Sequence, residues 1–238
     1  MSCARPLRQC VKTWRRRIFE RFGSDRYSRF ALNDLDRKLE KYLSWRNGTF
    51  IEAGANDGLT QSNTYWFERF RGWRGLLVEP IPAKAQACRH NRPIATVVNS
   101  ALVGSEDVKS VSMKTANLMA FVTGGLGNSA EEDQHMKTAI AVQKLEAIEE
   151  VEVPARRLSN ILDDVGMSHI DLFSLDVEGY EIEVLKGLEL DRHLPTYILV
   201  ETKNLPGVLE TLEQRYRKID QFSHHDYLLQ AITAAEAS

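Results

Sequence analysis

Cysteine is scarce in this 238-residue chain: Cys3, Cys10 and Cys88 are the whole set. They form no Cys-x-x-Cys pair and no Cys/His spacing suited to zinc, which excludes a disulfide framework and a thiolate metal centre. No apolar run approaches the roughly 18 residues that a membrane span needs. The arginine-rich start lacks the apolar stretch of a secretory signal, so the expectation is a soluble, cytoplasmic protein with reduced thiols. A large net charge is also missing, because 31 Lys/Arg oppose 33 Asp/Glu for a formal −2.

What is present is ordinary globular composition, 43% hydrophobic and 27% charged, enough to bury a core in one α/β domain. The charge is unevenly spread. Residues 1–30 carry nine Lys/Arg against Glu20 and Asp25, and the remainder carries 22 basic against 31 acidic residues, a net −9. Leu7, Val11, Trp14, Ile18 and Phe22 recur at helical spacing with arginines around them, which predicts an amphipathic basic helix. Its apolar face is expected to pack on the domain that follows, and the alternative is that it lies on an anionic membrane surface. A second helical pattern, Leu32, Leu35, Leu39, Tyr42 and Leu43, runs up to Asn47-Gly48. Residues 1–48 thus read as a basic helical segment ahead of a domain at 49–238.

From Thr49 onward short apolar runs alternate with helical stretches, the pattern of a parallel sheet covered on both faces. Strands are predicted at 50–53, 75–78, 96–98, 172–175 and 197–200, with helices at 62–70, 83–90, 158–165, 181–188 and 207–216. Runs at 218–222 and 226–230 are separated only by Ser223-His224-His225, too short for a crossover, and predict an antiparallel hairpin. The fold class is therefore α/β, a Rossmann-like, mostly parallel sheet with helices on both faces and a C-terminal antiparallel hairpin. Residues 105–150 break the alternation and read as an insertion. It contains Gly124-Gly125-Leu126-Gly127-Asn128 and an acidic stretch expected to be helical, with Glu131, Glu132, Asp133, Glu146, Glu149 and Glu150.

The first strand runs into Gly54-Ala55-Asn56-Asp57-Gly58, a turn of small residues that lets a ligand approach the backbone. A helix opening near Thr60–Ser62 is expected to aim free N–H groups at a ligand carboxylate. Glu79 ends the next strand, where an acid accepts hydrogen bonds from ribose hydroxyls; it is expected to be largely exposed without ligand. A dinucleotide fingerprint would need glycines where Asn56 and Leu59 stand, so S-adenosylmethionine fits better. The run Ile170–Glu181 then places Asp176 and Glu178 at the C-terminal edge of another buried strand, where open α/β sheets bind ligands.

The strings Phe50–Gly58, Ser62-Asn63-Thr64, Gly72–Pro80, Arg156-Arg157-Leu158, Ile170–Gly187 and Asp226-Tyr227-Leu228 resemble the FkbM family of methyltransferases over about residues 49 to 229. The resemblance implies O-methylation of a sugar, glycan or polyketide-like hydroxyl. It puts Gly54, Ala55, Asn56, Asp57, Glu79 and Pro80 at the cofactor, with Ser62, Asn63, Ser100 and Ala101 as neighbours. Glu52 stands where the family often has Asp, and its longer side chain still serves the cofactor's amino group. The Asp176–Glu178 turn falls at the methyl-transfer centre.

Proton removal from a hydroxyl calls for histidine or a carboxylate, and the candidates are Asp176, Glu178, Glu201, His224 and His225. Asp176, Glu178 and Glu201 at neighbouring strand ends suit Mg²⁺ or Ca²⁺ as an alternative. Two other classes compete. An RNA methyltransferase would use the basic arm, but no Asn/Asp-Pro-Pro-aromatic string follows the fourth strand and the acidic body has no basic track, so no nucleic-acid partner is expected. A non-catalytic interaction protein would not need every cofactor position filled.

Overall fold

The computed structural model describes residues 7–116, 119–122 and 149–232. Helices α1 (Leu7–Arg21) and α2 (Leu35–Glu40) precede the sheet. The chain continues through β1 (Thr49–Ala53), α3 (Tyr65–Arg71), β2 (Arg74–Val78), α4 (Pro82–Asn91), β3 (Thr96–Val98) and β4 (Ala101–Leu102). Strands β5 (Ser110–Ala116), β6 (Met119–Val122) and β7 (Glu149–Arg156) follow. The remainder is α5 (Leu158–Val165), β8 (Leu172–Leu175), α6 (Glu181–Lys186), β9 (Tyr197–Glu201), α7 (Leu205–Thr211), β10 (Tyr216–Gln221) and β11 (Asp226–Ala231).

Seven strands form the main sheet in the order β10-β11-β9-β8-β1-β2-β3. The pairs of β11 with β10 and β9 are antiparallel and the rest are parallel. Alternation along the strands divides the core between two faces. Ile51, Leu76, Phe173 and Ile198 meet α5, α6 and α7 through Ile161, Val184 and Val208. Phe50, Leu77, Leu172 and Leu199 meet α2, α3 and α4 through Leu39, Phe67 and Cys88. Each fully buried large side chain contributes about 1.5–3 kcal/mol, which is why these strands read as unbroken apolar runs. The chain proceeds outward from β1 to β3 on one side and from β8 to β9 on the other. The β1/β8 boundary is therefore a topological switch point, where the strand ends part to leave a crevice.

Four expectations are corrected. Residues 101–102, 110–116, 119–122 and 149–156 build a second sheet, ordered β4-β7-β5-β6, over a small core of Ala101, Val103, Met113, Val153 and Ala155. Glu149 and Glu150 open β7 and do not belong to a helix; the glycine run and the acids at 131–146 lie outside the described residues. The pattern at 32–43 is not one helix, because Asn33 and Asp34 take left-handed φ of 53° and 54° and leave a 3-10 turn before the short α2. Helix α3 starts at Tyr65, three residues later than expected. Finally, α1 turns its apolar side outward. Its docking point is the buried carboxylate of Glu20, which accepts from Ser28 Oγ and Tyr65 Oη at 2.7 Å and from Arg69 Nε at 3.0 Å. Buried Arg16 lies beside it, so the polar edge is what the domain holds, and no residue of α1 lines the cavities described below.

Candidate functional site

The turn after β1 is clamped to β2 by the N–H groups of Gly54 and Ala55, both donating to Val78 O at 3.1 and 3.2 Å. Gly54 has φ +80°, and a Cβ there would stand 1.9 Å from the backbone oxygen of Asp176. Glycine is therefore needed first for the approach of two chain segments across the switch point. Asp57 turns away from the crevice and caps its own loop, accepting from Leu59 N and Thr60 N at 2.9 and 2.7 Å. Below the turn, Cys88 Sγ donates to Asn56 O at 2.9 Å, and burial pushes this thiol up to about 12.

Glu52 is a structural hub. Its carboxylate accepts from Ser62 Oγ (2.9 Å), Asn63 N (2.8 Å) and Thr64 Oγ1 (2.5 Å). Arg92 stands 3.6 Å away. That guanidinium is fully buried and donates to Glu68 Oε1, Gly58 O, Ser62 Oγ and Thr64 Oγ1 at 2.9–3.1 Å. The loop 58–64 is thus stapled to β1 and α4 before any ligand arrives. Its N–H groups at 59, 60, 62, 63 and 65 already have partners within the chain, so the expected array of free helix N–H groups at this point is not formed. Sequence reading missed Arg92, because an arginine at the end of a helix, between Asn91 and Pro93, carries the signature of a solvated residue.

Glu79 is buried, contrary to the expectation of an exposed acid. Its two oxygens accept from Asn56 N at 2.8 Å and Ile81 N at 2.9 Å, and burial raises its pKa against those bonds. Asn99 Nδ2 fixes the same corner by donating to Glu79 O and Pro80 O at 2.9 and 2.7 Å. Ser100 is buried with its hydroxyl directed to Ala101 O and Pro154 O, at 2.8 and 3.2 Å.

On the other side of the switch point, Glu178 (φ 56°) and Gly179 (φ 98°) make a left-handed corner, and Gly179 N donates to Glu181 Oε1 at 2.8 Å. Asp176, half-buried at the end of β8, is surrounded by acids. Burial, then Glu201 and Glu178, pushes its pKa well above the usual carboxylate range. Glu201, which keeps an exposed edge, shares a hydrogen bond with Asp176 and is itself raised by desolvation and by Asp226. Glu178 is raised by burial and then by Glu201.

Two cavities meet here. The first, a cleft open to solvent, is lined by Glu52, Gly54, Ala55, Asn56, Ser62, Asn63, Glu79, Pro80, Ser100, Ala101, Asp176 and Glu178 among others. Lys84 also lines it, its pKa lowered by burial. The second, about 560 Å³, is lined by Leu32, Asn33, Leu35, Leu199, Glu201, Ser223, His225 and Asp226. Gln61, Asn63, Ser174 and Asp176 belong to both walls. Asp57 and His224 line neither; the backbone oxygen of His224 accepts from Tyr227 Oη. Asn63 Nδ2 donates to Ser174 Oγ at 3.0 Å, while its buried Oδ1 has no partner. Among the described residues no group of three or more His, Cys, Asp or Glu is arranged to hold a metal ion, so Asp176, Glu178 and Glu201 do not form the Mg²⁺ or Ca²⁺ set considered above.

Methyltransferase sdnD of Sordaria araneosa is 28% identical over 189 residues, covering 70% of this chain and 71% of that protein. Methyltransferase 1 of Beauveria bassiana (strain ARSEF 2860) is 26% identical over 152 residues, covering 60% and 59%. Among solved structures, a TehB-like SAM-dependent methyltransferase from Corynebacterium glutamicum aligns with a TM-score of 0.42 at 12% identity, over 95% of this chain and 97% of that one. The model of the methyltransferase FkbM domain matches residues 52–232. Spanning most of the chain, that match means the protein belongs to the FkbM family of S-adenosylmethionine-dependent methyltransferases.

Proposed function

We propose that this enzyme methylates a hydroxyl of an uncharged, hydroxyl-bearing small molecule, of the sugar, glycan or polyketide kind, with Asp176 as the group that takes the proton. The observation that carries the reading is the position of Asp176 in the wall between the two cavities, with its ionisation opposed by burial and neighbouring acids. S-adenosylmethionine, when bound, supplies an electrophilic methyl group on a sulfonium.

The first cleft suits such a cofactor by its chemistry. Carboxylates of Glu52, Glu79, Asp176 and Glu178 on its wall favour a ligand carrying sulfonium and ammonium charge. Glu79 uses one lone pair per oxygen on backbone N–H groups and retains others for ribose hydroxyls. Gly54, Ala55 and Asn56 offer backbone at close range, Pro80 and Ala101 offer apolar surface, and the partnerless Oδ1 of Asn63 offers an acceptor. Ser62 and Ser100 hold the cleft's backbone.

The second cavity is then the acceptor chamber. Asp176, Glu201 and Asp226 on its wall disfavour a carboxylate or phosphate-bearing acceptor. A hydroxyl, unlike a neutral amine, must begin to lose its proton as the methyl arrives, and a carboxylate of raised pKa is the stronger base for that step. Burial, and then Glu201 beside it, opposes the ionisation of Asp176 and so makes it a stronger base, and His225 on the same wall adds a second polar contact for the acceptor. Incubation with S-adenosylmethionine and a panel of neutral polyols, phenols, amines and acids, read by mass spectrometry, tests the reading. Methyl ethers on neutral acceptors support it; methylation confined to amines or carboxylates overturns it.

A further inference from the structure

Helix α1 inverts the usual arrangement of a surface helix. Glu20 and Arg16 are buried at its docked edge, while Val11, Trp14 and Phe22 are 56%, 67% and 82% exposed. At 100° per residue, Val11, Trp14 and Ile18 form one stripe, and Phe22 just beyond the helix extends it. Glu20 lies on the opposite side. The stripe is flanked by the exposed cations Lys12, Arg15, Arg17 and Arg21. Trp14 and Phe22 are the most exposed large apolar side chains among the described residues, and they lie on this one side.

We infer that this face is a docking surface for an anionic lipid bilayer, with α1 lying in the headgroup plane. Three observations select that occupant. The cations flank the apolar stripe on both sides, which complements a negative surface that is apolar beneath. Residues beyond 30 carry a net −9, so the body is repelled from the same surface and α1 is presented towards it. The patch is also too small for a stable protein partner: one face of a 15-residue helix offers about 220 Å², against about 800 Å² per partner in a typical complex. No helix among the described residues is long and apolar enough to cross a membrane, so the helix rests on the surface. This reading is independent of the methyl acceptor's identity.

The test is co-sedimentation of the full chain with vesicles of phosphatidylcholine alone or with about 30% phosphatidylserine, at low and at about 0.5 M salt. Binding is expected only to the anionic vesicles at low salt, with at least a tenfold loss at high salt. Trp14→Ser combined with Phe22→Ser is expected to cost roughly tenfold or more, and Arg17→Gln with Arg21→Gln roughly tenfold. Both pairs are exposed and leave the Glu20 network intact, so circular dichroism and melting are expected to match wild type. Failure to bind anionic vesicles at low salt overturns the inference. Binding that ignores the loss of Trp14 and Phe22 overturns it as well. So does concentration-dependent dimerisation, or RNA binding, that accounts for this face without vesicle binding.

Discussion

The two sides of the switch point carry the same chemical group in opposite conditions. At the ends of β1 and β2, Glu52 and Glu79 have a donor on each oxygen, backbone N–H groups for Glu79 and backbone and hydroxyl groups for Glu52, and Glu52 also has Arg92 at 3.6 Å. At the ends of β8 and β9, Asp176 and Glu201 face one another and further acids. Satisfied carboxylates set the shape of the cleft, whereas crowded ones hold a free-energy cost that is relieved when a proton arrives. On the function proposed above, one side holds and the other reacts, which is how a single sheet edge can divide binding from chemistry.

The largest effect that would break this comparison lies on the reactive side. Asp176→Asn is expected to lower kcat by about 10²–10⁴-fold while leaving the dissociation constant for S-adenosylmethionine within a few-fold, measured by turnover and calorimetry. Because the base acts when ionised, wild-type turnover is expected to rise with pH along a limb displaced above the usual carboxylate value of about 4. A variant within a few-fold of wild type would make Asp176 a structural acid. On the holding side, Arg92→Met strips the cation from Glu52 and Glu68, and losing one partner of a buried pair costs about 3–5 kcal/mol. Urea unfolding reads that loss, and a stability change below about 1 kcal/mol would show that the staple is not needed.

Asp36 sharpens the contrast because it is strained without being in the crevice wall. It is 1% exposed, neither oxygen has a hydrogen-bond partner, and Arg29 is 3.8 Å away. Burial raises its pKa from 3.8 to about 6. A raised folded-state pKa means that its contribution to stability is full below about pH 4 and is lost as pH rises through about 6. Asp36→Asn is therefore expected to stabilise the protein above pH 6, by up to about 3 kcal/mol, and to flatten its melting profile between pH 4 and 6. An Asn variant no more stable than wild type at pH 7.5 would remove burial as the cause. The smallest change tests Glu79. With Glu79→Gln, an amide keeps an acceptor but meets a backbone N–H with its own NH₂, and about 1.5–3 kcal/mol of cofactor affinity should go. Glu79→Ala is the poorer test, since it orphans two backbone donors and confounds binding with folding.

Much of the frame was legible because it rests on local chemistry. Period-two and unbroken apolar runs gave β1, β2, β3, β8 and β9 to within a residue or two, and the short link Ser223–His225 announced the hairpin of β10 and β11. The acids at strand ends could be named since Glu52, Glu79, Asp176 and Glu201 each close an apolar run. Their condition could not. Whether a carboxylate is satisfied or crowded depends on residues 10 to 50 positions away, such as Ser62 for Glu52 or Asp226 for Asp176, and no periodicity encodes that distance.

The same division holds at the N-terminus and in the second sheet. Helical spacing determined that Leu7 to Phe22 would form an amphipathic helix, but not which side would meet the domain. Tertiary structure decided that through Tyr65, Arg69 and Ser28, which converge on Glu20 and bind the polar edge more specifically than an apolar stripe could be bound. Strands β5 and β7 were hidden because Ser110, Ser112, Glu150 and Glu152 make them look solvated, and these side chains find their partners across the pair, Ser110 on Glu152 and Ser112 on Glu150. Sequence by itself determined the strands of the main sheet, the turn at Gly54 and the family; the fold alone decided the second sheet, which acids are satisfied and which are crowded, and which face of the first helix is left open, because each of these is a contact between parts of the chain that lie far apart along it.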